Sequence, residues 1–154
     1  MGQGVKGDEI PDEHSICRLI KGIHYDAETQ TVLGAAFFRT PQDDDGLSVN
    51  WLEHVDQDAT AALVAILGVL RKKREVKNSY RFVRWNVGEA GSKAAPEGGM
   101  LAEHDPIEGV NAKTGVEWAD PSHSLLVYGM ANHMAVGEAL AECLSHIGEP
   151  VGPA

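Results

Sequence analysis

Between Ala59 and Arg74 the chain reads ATAALVAILGVLRKKR, and no other stretch limits the possible fold as tightly. Ala59, Ala62, Leu63, Ile66, Leu67 and Leu70 recur every three to four residues, which gathers them into one apolar stripe on a helix. Asp58 stands where an N-cap accepts from the first free amides. Arg71, Lys72, Lys73 and Arg74 fill the last turn, where the helix dipole favours cations. A helix with one apolar stripe must bury it, so the flanking segments have to supply a partner surface.

They do so with strand patterns. SICRLIKGI (Ser15–Ile23) and TVLGAAFFRT (Thr31–Thr40) read as two strands joined by the polar turn HYDAETQ, and the acidic PQDDDG reads as a surface loop. In LSVNWLEHV (Leu47–Val55), Leu47, Val49, Trp51 and Val55 take one face while Ser48, Asn50 and His54 take the other. Only Leu52 and Glu53 break the alternation. YRFVRWNV (Tyr80–Val87) is a further strand by its aromatic and β-branched content, with Val83 and Trp85 turned inward like Val49 and Trp51.

Turn formers dominate residues 88–122. There GEAGSKAAPEGG is expected as a flexible loop, and MLAEH and VEWAD as short strands on either side of DPIEGVNAKTG. SLLVYGM is a strand. Val136, Leu140, Cys143, Leu144 and Ile147 then stripe a closing helix that Gly148 terminates. No glycine-rich fingerprint joins a strand to a helix, which argues against a Rossmann or P-loop fold. The expected architecture is one α+β domain over residues 14–148, between a flexible leader (1–13) and a flexible tail (149–154). Its core is a single, mainly antiparallel sheet of about five to seven strands with two main helices packed on one face.

A chain of 154 residues with 43% hydrophobic and 23% charged residues has the composition of an ordinary globular domain and needs no metal or disulfide staple. Cys17 and Cys143 sit in apolar segments, where a thiol behaves as a small hydrophobe. No secretory signal is expected from MGQGVKGDEIPDEH, no apolar run has the length of a membrane span, and Lys6 stands where a myristoylation pattern has Ser or Thr. The expected setting is cytoplasmic, with no membrane partner and no cofactor. The net charge of -10 repels phosphate backbones at long range, yet seven of the 13 basic residues fall between Arg71 and Arg84. Arg71, Lys72, Arg74 and Arg81 are the candidate anion-binding patch, and nucleic acid is admitted as a partner only through this window.

With LSVNWLEHV and DPSHSLLVYGM both in view, the chain resembles a set of small uncharacterised bacterial proteins. They have an SVNWLE-type strand after AAF and a DP-x-H segment ahead of a C-terminal helix. The resemblance covers about His14 to Ile147 and implies a shared fold, with no reaction attached to it.

Several chemistries are weighed against the spacings. A paired-histidine phosphoesterase needs a hydroxyl two residues after each histidine, whereas His14-Ser15 and His123-Ser124 place it one residue on, across the strand. Zinc held by His14-x-x-Cys17 and Cys143-x-x-His146 fails because i and i+3 on a strand face opposite ways for the first pair, and Cys143 lies on the apolar stripe of its helix. No nucleophile-elbow glycines surround any serine, and His123 faces away from Ser124 on a regular strand. What remains is a set of polar residues at strand ends: His123 and His14 as candidate general acid or base, and Asn50, His54 and Asp120 as candidate ligand-binding residues, with Glu53 nearby. His123 is expected at a turn-to-strand junction, partly exposed, with a pKa near ~6.5 and His14 opposite it across a cleft. The leading functional reading is a binding or accessory domain. The alternative is a small hydrolase or transferase acting on a nucleotide or RNA through histidine chemistry.

Overall fold

The computed structural model describes residues 5–40 and 46–153. In chain order the elements are β1 (Ser15–Ile20), β2 (Tyr25–Asp26), β3 (Thr31–Val32), β4 (Leu47–Trp51), α1 (Leu52–Val55), α2 (Ala59–Lys73), β5 (Arg81–Asn86) and α3 (Val87–Ala94). Then come β6 (Leu101–His104), β7 (Ile107–Val110), β8 (Glu117–Asp120), β9 (His123–Val127), α4 (His133–Glu142) and β10 (His146–Pro150). Six strands form one antiparallel sheet in the order β10-β5-β1-β4-β9-β6. The pairs β2-β3 and β7-β8 are separate two-stranded ribbons. The α+β class and the antiparallel sheet are therefore as the sequence predicts.

Helices cover both faces of this sheet rather than one. Alternation along the central strands divides the core: Ile16, Ile20, Val49, Trp51, Val83, Trp85 and Leu126 pack with α3 and α4, while Cys17, Leu19 and Phe82 pack with Ala62, Ile66 and Leu70 of α2. Two-sided burial explains why neighbouring residues of β1 (Ile16 and Cys17, Leu19 and Ile20) and of β5 (Phe82 and Val83) are both apolar and buried. Cys17 and Cys143 belong to opposite faces. Trp85 is fully buried, donates Nε1–H to the Leu140 carbonyl at 2.8 Å and meets Phe37 edge-on at 4.8 Å between ring centroids. Trp51 is likewise buried.

Four local expectations are corrected. TVLGAAFFRT is not a second long strand: only Thr31–Val32 pairs, and Gly34–Phe37 is a 3-10 turn lying against α4. The approach is so close that a Cβ on Gly34 would stand 2.0 Å from the Glu138 carboxylate, and one on Gly137 would stand 2.6 Å from the Phe38 ring. In LSVNWLEHV the strand stops at Trp51 and one helical turn follows, so the break at Leu52 and Glu53 is where the period changes. GEAGSKAAPEGG is not a loop throughout, because Asn86 caps α3 by accepting from Glu89 N at 2.8 Å, and Val87, Ala90 and Ala94 bury one stripe. The closing helix ends at Glu142, and the chain turns back as β10 to cover the outer edge of β5.

Both termini contact the sheet. Ile10 is buried and its amide donates to Ala102 O of β6, while Val151 N and Gly152 N donate to Tyr80 O and Asn78 O. The expected acidic loop PQDDDG lies, apart from Gly46, outside the described residues, as do residues 1–4 of the leader and Ala154. Among the described residues no helix is long and apolar enough to cross a membrane.

Because Trp85 fills the space between the sheet and both α4 and the 3-10 turn, Trp85→Ala should lower the unfolding free energy by about 3–5 kcal/mol in urea titrations. A loss below about 1 kcal/mol would mean that this face of the sheet is not the packed core described here.

Candidate functional site

Strands β1 and β4 pair only at Ile16↔Trp51 and Cys17↔Asn50. Beyond that point the ladder stops and the two strands separate. Arg18 reaches across the opening, donating through its guanidinium to Ser48 O at 2.6 Å and to Ala36 O at 3.3 Å. The opening is a cleft of about 420 Å³. Arg18, Lys21 and His24 reach it from β1 and the turn after it, Ser48 and Asn50 from β4, His123 from β9, and Lys73 and Arg74 from the end of α2.

A buried polar network lies behind it. Asn50 Nδ2 donates to Asp120 Oδ1 at 2.8 Å and to Ser122 Oγ at 2.9 Å. Asp120 is 1% exposed and its other oxygen receives Lys73 Nζ at 2.8 Å. Lys73 in turn lies 4.8 Å over the Trp118 ring. A carboxylate so deeply buried is tolerable only when paired and hydrogen-bonded, and here both of its oxygens are occupied.

His123 faces Asn50 directly across the β4-β9 ladder, and Ser48, two residues earlier on the same face of β4, is its diagonal neighbour. Its Nδ1 lies 2.7 Å from the Asp105 carbonyl and 3.3 Å from the Asp105 carboxylate, while Nε2 lies 3.1 Å from Ser48 Oγ. A carbonyl only accepts, so the proton of the neutral ring is assigned to Nδ1, and Nε2 is the acceptor for the Ser48 hydroxyl. Burial lowers the pKa of His123, with Lys73 acting in the same direction and the Asp105 carbonyl, Asp120 and the Asp105 carboxylate opposing it.

On the other face of the sheet, Trp51 is surrounded by histidines. Its Nε1–H donates to His14 Nδ1 at 2.9 Å, and its ring lies 5.7, 5.2 and 5.3 Å from those of His14, His54 and His104. The His54 and His104 rings are 4.8 Å apart. Burial lowers both pKa values, and for His104 the charge of His54 adds to the effect. Among the described residues no group of three His, Cys, Asp or Glu side chains is arranged to hold a metal ion.

The structure thus brings together Asn50, Asp120 and His123 and separates them from His14 and His54. His14 does not stand opposite His123. It bonds Trp51 on the other face, and His54 leaves the strand with α1, so it shares no side with Asn50. Glu53 accepts from Ser15 N at 2.8 Å. His123 is buried, at 5% exposure, rather than partly exposed, with Asp105 and Ser48 against its two ring nitrogens. The basic window is dispersed: Arg74 enters the cleft, Arg71 donates to Gly152 O, Lys72 lies by Trp118, and Arg81 stacks 3.9 Å over Tyr25 and donates to Gly148 O. Sequence reasoning missed Ser48, Asp105 and Arg18. The i, i+2 relation of Ser48 to Asn50 was available as a signal, whereas Asp105 becomes a partner only through the β6-β9 pairing.

Two results are expected from this geometry. Asp120→Leu or Lys73→Met alone leaves a buried charge without its partner and should cost about 3–5 kcal/mol, while the double variant Asp120→Leu/Lys73→Met should recover much of the loss in a double-mutant cycle. Second, burial holds His24, His54, His104 and His123 below their ordinary pKa. The unfolded chain takes up these protons first as pH falls, so their contribution is complete above about pH 6.5 and is lost below it. The urea midpoint should drop between about pH 7 and pH 5.5, and a midpoint that rises over that interval contradicts this assignment.

Comparison of the chain with protein-family models, with curated proteins and with solved structures gives no match.

Proposed function

We propose that the chain is a cytoplasmic binding domain that takes a small phosphate-bearing ligand in the cleft between β1 and β4. One observation carries the reading: Arg18, Lys21, Lys73 and Arg74 line the cleft and no carboxylate does so among the described residues, in a chain whose net charge is -10. Guanidinium groups offer forked donors that match phosphate oxygens, and lysines add point charges. The exposed Ser48 hydroxyl supplies a directional polar group beside them. The size, about 420 Å³, suits a small molecule. A long polyanion is the weaker reading because Arg71, Lys72 and Arg81 point to separate places and form no continuous track with Arg74.

In this reading Lys21, Arg74 and the Ser48 hydroxyl touch the ligand, and Asp120 holds Asn50 and Lys73 in place from behind. Titration with inorganic phosphate should shift the backbone amide resonances of Ser48, Asn50 and Lys73. The double variant Lys21→Gln/Arg74→Gln should bind about tenfold more weakly or worse, a difference of about 1.4 kcal/mol, and added salt should weaken the parent protein. Shifts that are absent from the cleft, or affinity unchanged in the double variant, overturn the proposal.

A further inference from the structure

We propose that Ser48 is a nucleophile, activated by His123 and with Asp105 as the positioning residue, that takes a phosphoryl group from a phosphate ester bound in the cleft. This rests on the reading of the cleft as a phosphate site and adds a reaction to it. Ser48 is exposed at the opening, while His123 behind it is buried and held at both ring nitrogens. The three residues come from β4, from β9 and from the turn after β6, and the sheet fixes their spacing without any specialised loop. A hydroxyl on a neutral imidazole nitrogen, with the other nitrogen oriented by a third group, is the arrangement that activates a serine.

The step balances within the named groups. Ser48 Oγ attacks phosphorus as its proton passes to His123 Nε2, the P–O bond to the alcohol breaks, and His123 returns the proton to the departing alkoxide. Water, deprotonated by His123, then attacks the phosphoserine. The Oγ–P bond breaks and Ser48 recovers a proton, so one ester and one water yield one alcohol and one phosphate. Charge on the phosphoryl oxygens is balanced by Lys21 and Arg74, which share the cleft. Asp105 adds a carboxylate 3.3 Å from Nδ1, which favours the imidazolium formed when the proton arrives.

The groups facing the imidazole are Asp105, Lys73 and Asp120, with His104 on the neighbouring strand. Their balance with burial keeps His123 neutral to lower pH than a free histidine. Labelling with a fluorophosphonate tests the nucleophile directly, since the Ser48 Oγ–P bond forms, the P–F bond breaks, fluoride leaves and the proton is taken by His123. Peptide mapping should find the adduct on Ser48, none in Ser48→Ala, and labelling about a hundredfold slower in His123→Gln. As His123→Gln removes a buried ring and its fold is itself at stake, the pH profile of the parent protein is the second readout. Labelling should rise with pH through a midpoint below about 6.5, and Asp105→Asn, which keeps the backbone carbonyl, should move that midpoint lower still.

An absence of adduct on Ser48, or labelling independent of pH between about 5 and 8, overturns the nucleophile. If inorganic phosphate still shifts the Ser48 and Asn50 amides in that case, the binding reading stands alone. If phosphate does not bind, both readings fall, whether or not Ser48 is labelled.

Discussion

Asp120 is an ionisable side chain with almost no contact with water, and the polar half of the molecule is organised by what it requires. Burying a carboxylate is costly unless its oxygens are occupied, so the fold supplies Asn50 from β4 to one oxygen and Lys73 from α2 to the other. This one group ties the end of α2 to the sheet and stops the lysine from extending into solvent. It also fixes the amide of Asn50 next to His123. One cation and one amide of the cleft wall are thereby held by a charge that does not itself line the cleft.

The second organising feature is the change of period between Trp51 and Leu52. An extended residue and the first residue of a helical turn send neighbouring side chains to opposite sides, so Trp51 enters the α3/α4 face and Leu52 the α2 face. Everything after that point is re-aimed. His54 joins Trp51 and His104 rather than Asn50, which leaves one histidine on the cleft side of β4 and β9 and a cluster of three on the other side. The string SVNWLE is therefore dense in distinct roles: a hydroxyl in the cleft, a buried amide, an aromatic anchor, and a carboxylate that receives the Ser15 amide.

How far the sequence could be read follows from the range of each interaction. The helix over α2, its Asp58 cap and the inward tryptophans are local patterns, and all three are seen in the structure. Asp58 accepts from Thr60 N. The strand expected over TVLGAAFFRT fails because its β-branched and aromatic residues are answered by α4, a partner a hundred residues away whose glycine allows the close approach. The last helix is overextended for a similar reason, since Cys143, Leu144 and Ile147 are apolar at helical spacing yet serve the same core from a turn and a strand. In the site, Asn50, Asp120 and His123 were identifiable as polar residues at strand ends. Their grouping against His14 and His54 depended on strand register and on which face α1 departs toward, and no spacing encodes either. Asp105, which reads as half of a turn dipeptide with Pro106, acquires its role only when β6 pairs with β9.

An acidic protein that carries a cationic cleft treats anions differently at different ranges. At separations comparable to the screening length of about 8–10 Å, an approaching molecule senses chiefly the averaged, partly screened field of a chain with net charge -10. That field opposes a long polyanion, which must lay many phosphates against the surface at once. In the proposed reading a small phosphate ester meets the averaged repulsion with few charges and, once inside, has Lys21 and Arg74 at short range, with Arg18 and Lys73 held in the wall by their own partners. Size selection of this kind needs no lid and no steric filter. In the proposed reading it follows from gathering cations in a single opening of the sheet of a chain that is acidic as a whole, a placement that a count of basic residues without their positions does not reveal.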